Sequence, residues 1–288
     1  MLRGLYTAAA GMVTQQRRHD TVTNNISNLN TPGFKQVNAI SRSFPDMLIS
    51  LTGLEPEHDK RLGVVNTGVF AEESLSIHLQ GDLSSTDRPS DFAILSDIDV
   101  PGMSFDSSGK YVNENGETTF QPQVFFTLRD RSGETRYTRD GKFTLNNEGF
   151  LVTGDGSFVL GIDNNPIQFA PNIAIDQLKL NANQQFIDNL TGNNTGEQLL
   201  LTRIENPNML VREGNSKFQL VGEDNQSRAV NAGDRFEVRQ GYVERSNVDA
   251  SQSMIDIMAA LRAYEANQKV VQYYDRSLEK AVNEVGRI

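Results

Sequence analysis

The 288-residue chain has no cysteine and no tryptophan. Without cysteine there is no disulfide scaffold, no thiolate nucleophile and no cysteine-bound metal. Histidine is scarce: His19 lies in a helical stretch, His58 in a loop and His78 in a β-prone run. None has a second ligand at metal spacing, so each reads as structural or solvated. No apolar run approaches the ~18–20 residues of a membrane span. The opening MLRGLYTAAAGMVTQQRRHD superficially matches a secretory leader. Its apolar run is broken, however, and polar helix follows directly, so it is expected to be mature sequence. If the protein leaves the cytoplasm, it is expected to do so without a cleaved signal.

Positive charge is also sparse outside the ends. The net charge is -10, with +3 in residues 1–35 and -1 in residues 241–288, which leaves -12 in the middle. Phosphate binding needs a basic surface, so a nucleic-acid partner is not expected. There is no G-x-S-x-G, no P-loop, no G-x-G-x-x-G after a strand and no EF-hand pattern. Neither a cofactor nor a small-molecule substrate is expected, and no motif isolates a catalytic pair of carboxylates.

What the chain does have is a helix at each end and β structure between. At 37% hydrophobic and 22% charged it can bury a core. Leu2, Leu5, Ala9 and Met12, then Val22, Ile26 and Leu29, recur at helical spacing up to about Asn30. Pro32 ends that run, and Pro32-Gly33 suits a type II turn. From about 70 to 240, short β-prone runs such as QVFFTL, TRYT and KFTL alternate with turn signals such as NENG, RDGK and NNEG. The pattern predicts antiparallel strands joined by hairpin turns. Residues 173–196, rich in Asn and Gln, read as loop. Phe44, Met47, Leu48 and Leu51 suggest a short helix, and EPEHDKRLG an exposed loop.

The last region is helical again, with Asn247 or Asp249 as its cap. Ile257, Tyr264, Val271, Leu278 and Val285 fall at strict sevens, with Ala260, Asn267, Tyr274 and Ala281 three residues later. That is an a/d heptad; Leu261 is grouped with the packing positions. The expected fold is α+β: terminal helices pairing as a coiled-coil-like stem, with a central antiparallel β-rich body. The expected divisions are 1–35 (N-terminal assembly helix), 36–69 (connector), 70–240 (acidic body) and 241–288 (C-terminal assembly helix). The end helices can pair with each other or with those of neighbours, and head-to-tail repetition gives a helical filament when the rotation does not close. The alternatives are a secreted β-rich binding module that self-associates through its helices, and a hydrolase using paired acids.

Three motifs carry a resemblance. NNISNLNTPGFK contains Asn24, Asn25, Ile26, Asn28, Asn30, Thr31, Pro32, Gly33 and Phe34, and it resembles the N-terminal signature of flagellar axial proteins, the rod and hook family. FFTLRDRSGETRYTRDGKFTLNNEGFLVTGDGSFVLG is similar to that family's central β segment. GYVERSNVDASQSMIDIMAALRAYEANQKVVQYYDRSLEKAVNEVGRI is similar to its C-terminal segment, through Glu244, Ser246, Asn247, Val248, Asp249, Arg262, Glu265, Gln268 and Lys269.

The resemblance implies a structural subunit of the basal-body rod, most like the distal-rod type seen in bacilli. It would polymerise through its terminal helices to transmit torque. The implied partners are itself, other rod and hook proteins and the flagellar export apparatus, and the implied location is the basal body outside the cytoplasmic membrane. Against the family pattern, residues 98–122 read as a hairpin-like insertion. The asparagines imply uncharged polar faces that satisfy neighbouring helices, where a buried Lys or Glu would be costly.

Overall fold

The computed structural model describes residues 2–50, 61–106, 109–170, 173–222, 227–231 and 233–286. The side chains of Leu2 and Val285, and all of Leu51 and His58, lie outside the described residues. The chain divides into two compact units. The helix unit comprises Met1–Ser27, Val37–Leu75 and Asp249–Ile288, and the β unit comprises Asn28–Gln36 and Ser76–Val248. The stretch expected as a connector thus clusters with the helices.

In the helix unit, α1 spans Leu2–Ser27 and α2 spans Ala250–Lys280, continued by a π-helical turn over Ala281–Val285. The Asp249 side chain caps α2 by accepting from the amides of Ser251 and Gln252, two donors that the helix itself cannot satisfy. The strand Ser41–Ser43 pairs antiparallel with Val69–Ala71, and Met47–Ser50 with Arg61–Val65. The helix expected around Met47 is therefore a strand. A run as short as MLIS carries too little periodicity to separate the two. α1 packs on Val69–Ala71, and the Thr7 hydroxyl donates to Thr67 O at 3.0 Å.

In the β unit the main sheet has nine strands. Its central strand, Gln123–Arg129, pairs antiparallel with Thr135–Thr138 on one side, and with Phe158–Val159 and Leu201–Ile204 on the other. The run QVFFTL is buried throughout because apolar clusters cover both faces. Val124, Phe126 and Leu128 join a large core with Phe92, Phe143 and Phe186. Phe125 points into a smaller cluster with Tyr137, Ile204, Leu210 and Phe218.

Two expectations change. The Asn-rich 173–196 stretch contributes strands to a three-stranded sheet, Leu178–Leu180, Gln185–Asp188 and Asn194–Gln198. Its asparagines are turn formers: Asn181 Oδ1 accepts from the amides of Asn183 and Gln185. RDGK, expected as a hairpin turn, joins Thr135–Thr138 to Phe143–Leu145, strands that do not pair with each other. Within 98–122, Lys110–Val112 and Thr118–Phe120 do form a separate hairpin.

Candidate assembly site

α1 and α2 run antiparallel. Gly4 faces Tyr274, and Gly11 faces Asn267, seven residues on in one helix and seven back in the other. A Cβ at Gly4 would overlap the Tyr274 hydroxyl, and one at Gly11 would lie 2.8 Å from Asn267 Nδ2. Glycine here admits a partner side chain against the helix backbone. Arg18 reaches Asp256 at 3.1 Å farther along. Ile257, Ala260, Tyr264, Asn267, Val271, Tyr274 and Leu278 of α2, and Ala281 just past its end, are sheltered at the 3–4 spacing of one helix face; Ser253, Asp256 and Ala263 are sheltered as well. On α1, Ala8, Gly11, Thr14 and Val22 are buried, while Leu5, Ala9, Met12 and Ile26 are half-buried; Leu29, expected in this helix, lies in the turn after its end at Ser27 and is half-buried there. Leu261, grouped with the packing positions, sits one residue past Ala260, turned away from that face, and is 44% exposed.

The N-terminal motif is shared between the units. Asn25, at the end of α1, is buried and clamps Val37: its Nδ2 donates to Val37 O at 2.8 Å and its Oδ1 accepts from Val37 N at 3.0 Å. Asn24 and Asn30 are exposed, while Asn28 is half-buried and accepts from the Thr31 hydroxyl. Thr31-Pro32-Gly33-Phe34 then turns sharply. Phe34 N donates to Thr31 O, and Gly33 takes φ 67, as the third position of a type II turn requires. Gly33 also lies against the Arg139–Asp140 backbone, where a Cβ would come within 2.7 Å.

In the β unit all three motifs converge. Lys35 Nζ bonds Glu244 Oε1 at 2.6 Å and Leu79 O at 2.6 Å. Arg139, from the central motif, donates through Nε to Glu244 Oε2 at 2.8 Å; its other nitrogens reach Val124 O, Gln80 Oε1 and Ser96 Oγ. Gly33 N donates to Glu244 O. Asn247 Oδ1 accepts from Gln36 N at 2.6 Å, and its Nδ2 donates to Ile77 O. Arg212 lies over the Phe34 ring at 4.1 Å and donates to Lys35 O.

Lys35, Arg139 and Glu244 are all buried, and two cations face one anion. Burial pushes the Glu244 carboxyl up, but the charges and hydrogen bonds of Arg139 and Lys35 outweigh it and hold it down at about 2. Burial lowers Lys35 to about 8, opposed by Glu244 and reinforced by Arg139. His78 packs edge-on to Phe125 and tilted against Phe218, and neither ring nitrogen has a hydrogen-bond partner among the described residues. Burial first, and then the charges of Lys35, Arg212 and Arg139, lower it to about 3.

Three family models match the chain, each on one of these motifs. Residues 5–35 match the flagella basal body rod protein model, 120–193 the flagellar hook protein FlgE/F/G D1 domain, and 239–284 the flagellar basal body rod FlgEFG protein C-terminal segment. The flagellar hook-basal body complex protein FlhO of Bacillus subtilis is 34% identical over 100% of both chains. The chain belongs to the flagellar basal-body rod family. The flagellar basal-body rod protein FlgG of Caulobacter vibrioides is 31% identical, with 96% of this chain and 97% of the relative covered. That of Bacillus subtilis is 26% identical, with 98% and 99% covered.

In this rod-family chain the C-terminal motif is divided. Glu244, Ser246, Asn247 and Val248 belong to the β unit, and Asp249 caps α2. Arg262, Glu265, Gln268 and Lys269 are exposed on α2. Sequence reasoning overlooked Gly4 and Gly11, although their seven-residue spacing was visible. It also treated Lys35 and Arg139 as motif letters and did not foresee their shared carboxylate.

Proposed function

We propose that this chain is a structural subunit of the flagellar rod–hook region that polymerises through its terminal helices. Its family is one of structural flagellar proteins. The carrying observation is an imbalance between the two units. Among the described residues, Ala8, Val22 and Ala260 are the only buried hydrophobics of the helix unit. Fifteen described large hydrophobics of that unit stand exposed, against six described ones in the larger β unit. A helical pair with so little core gains its stability from packing against other surfaces.

In the assembled state α1 and α2 wind as a coiled-coil-like stem, and stems of neighbouring copies and of other rod and hook proteins cover the exposed apolar side chains. Asn24, exposed on the last turn of α1, faces neighbours. Axial stacking of such stems transmits torque. The chain is exported as an unfolded polypeptide through the flagellar export apparatus and acts outside the cytoplasmic membrane. No described helix is long and apolar enough to cross a membrane.

Sedimentation of full-length protein beside fragment 28–248, which retains the β unit, tests this reading. Concentration-dependent association in the full chain and a folded monomer in the fragment are expected. Equal association by both would contradict assembly through the helices.

A further inference from the structure

Two features of the helix unit complement each other but cannot meet within one chain. The first is a groove of about 440 Å³ between the start of α1 and the strand pair Met47–Ser50 and Arg61–Val65. Its lining includes Arg3, Tyr6, Met47, Leu48 and Val65. Tyr6, Met47 and Leu48 are exposed by 68%, 60% and 64%. The second is a stripe on the outer face of α2. Met254, Met258 and Leu261 follow i, i+4, i+7 spacing and are all exposed. Glu265 continues the stripe four residues on and is exposed too. Neither Arg3 nor Glu265 makes an ion pair among the described residues.

We propose that the Met254–Met258–Leu261 stripe of one copy docks into the Tyr6–Met47–Leu48 groove of a second copy of this chain, with Glu265 set against Arg3. This rests on the assembly reading above and specifies its contact. Apolar surface meets apolar surface, and each partner ends in the charge the other lacks. Methionine is pliable enough to fill an irregular groove. The groove lies by Arg3 and Tyr6, at the Gly4–Tyr274 end of the helical pair. Met258 is sixteen residues earlier on α2, on the order of 24 Å away at the helical rise. One copy therefore cannot fill its own groove. A contact between two different patches is heterologous, so it repeats into an open helical array and does not close as a dimer.

The chain has no native cysteine, so the contact can be trapped in the full-length protein. Leu48→Cys combined with Met258→Cys can form a disulfide only where the Cα atoms come within about 7 Å. Under oxidation the double variant should give a ladder of dimers, trimers and higher species, and neither single variant should. Monomers only, or dimers without higher species, would overturn the proposal. Independently, Arg3→Glu or Glu265→Arg should each weaken self-association about ten-fold, and the double reversal should restore most of it. Single reversals that associate like wild type, or a double no better than either single, would overturn it. Ala260→Asp, which places a charge at a buried helix contact, separates the two levels. Wild-type association in that variant would contradict the assembly reading itself. Lost association there, with indifferent charge variants, would contradict the docking alone.

Discussion

Lys35 and Glu244, 209 positions apart in the chain, meet at 2.6 Å with both side chains out of solvent. Their pair, completed by Arg139, lies where the N-terminal stretch enters the β unit and the C-terminal stretch leaves it. The signature residues of three motifs therefore close one fold, and only some of them remain available to neighbours.

Glu244→Ala leaves Lys35 and Arg139 buried without their shared anion. Truncating one member of a buried ion network costs about 3–5 kcal/mol. Arg18→Ala removes an ion pair whose arginine is 46% exposed, and should cost under ~1 kcal/mol. Urea titration of both variants checks this. Equal, small losses would show that the cluster does not hold the β unit together.

Acid should loosen the β unit in two stages. The folded value of His78, about 3, lies below its ordinary 6.5. The stability it contributes is complete above pH 6.5 and is lost as pH falls toward 3. Glu244, at about 2 against 4.5, adds a second loss below pH 4.5. Lys35, at about 8 against 10.5, binds fewer protons folded than unfolded, so stability rises with pH between those values. The urea midpoint measured against pH should slope downward from 6.5. In His78→Phe, which keeps a ring against Phe125 and Phe218, the segment between pH 6.5 and 4.5 should flatten. An unchanged slope in that variant would exclude His78 as the cause.

Asn25→Asp keeps the acceptor for Val37 N but loses the donor to Val37 O. A half-buried carbonyl that loses this donor and faces a carboxylate instead should cost about 1–3 kcal/mol. Hydrogen exchange at the Val37 amide and its neighbours should accelerate, while amides of the central strand Gln123–Arg129 stay protected. Uniform acceleration in both places would show that the clamp is not local.

The two terminal helices were legible because 3–4 spacing records a single buried face, and the heptad from Ile257 to Ala281 coincides with the sheltered face of α2. Strands such as Gln123–Arg129 were legible from β-prone runs between turn signals. The 173–196 sheet was not, because Asn181 and Asp188 serve tight turns, which on composition alone resemble loop. The asparagine-rich motif suggested contacts with neighbours, yet Asn25 satisfies Val37 of its own chain, twelve residues on. Nothing local to Lys35 or Arg139 announces Glu244 as their partner. For the same reason a cut at residue 36 would remove Lys35 from the cluster, so a continuous fragment that keeps the β unit runs from Asn28 to Val248 and carries Val37–Leu75 of the helix unit with it.

Gly11→Leu sets two effects in opposition. On an exposed helix face, replacing glycine would stabilise by about 1 kcal/mol. Here the new side chain meets Asn267, so the pair should part and self-association should fall. Sedimentation of the full-length variant reads the sign, and stronger association would contradict close packing of α1 on α2.

The central claim is that the chain is a structural subunit of the rod–hook region. Electron microscopy of basal bodies from a strain lacking the gene tests it most directly. Basal bodies with a defective rod–hook region and a non-motile strain are expected; complete basal bodies with hooks in a motile strain would contradict the account.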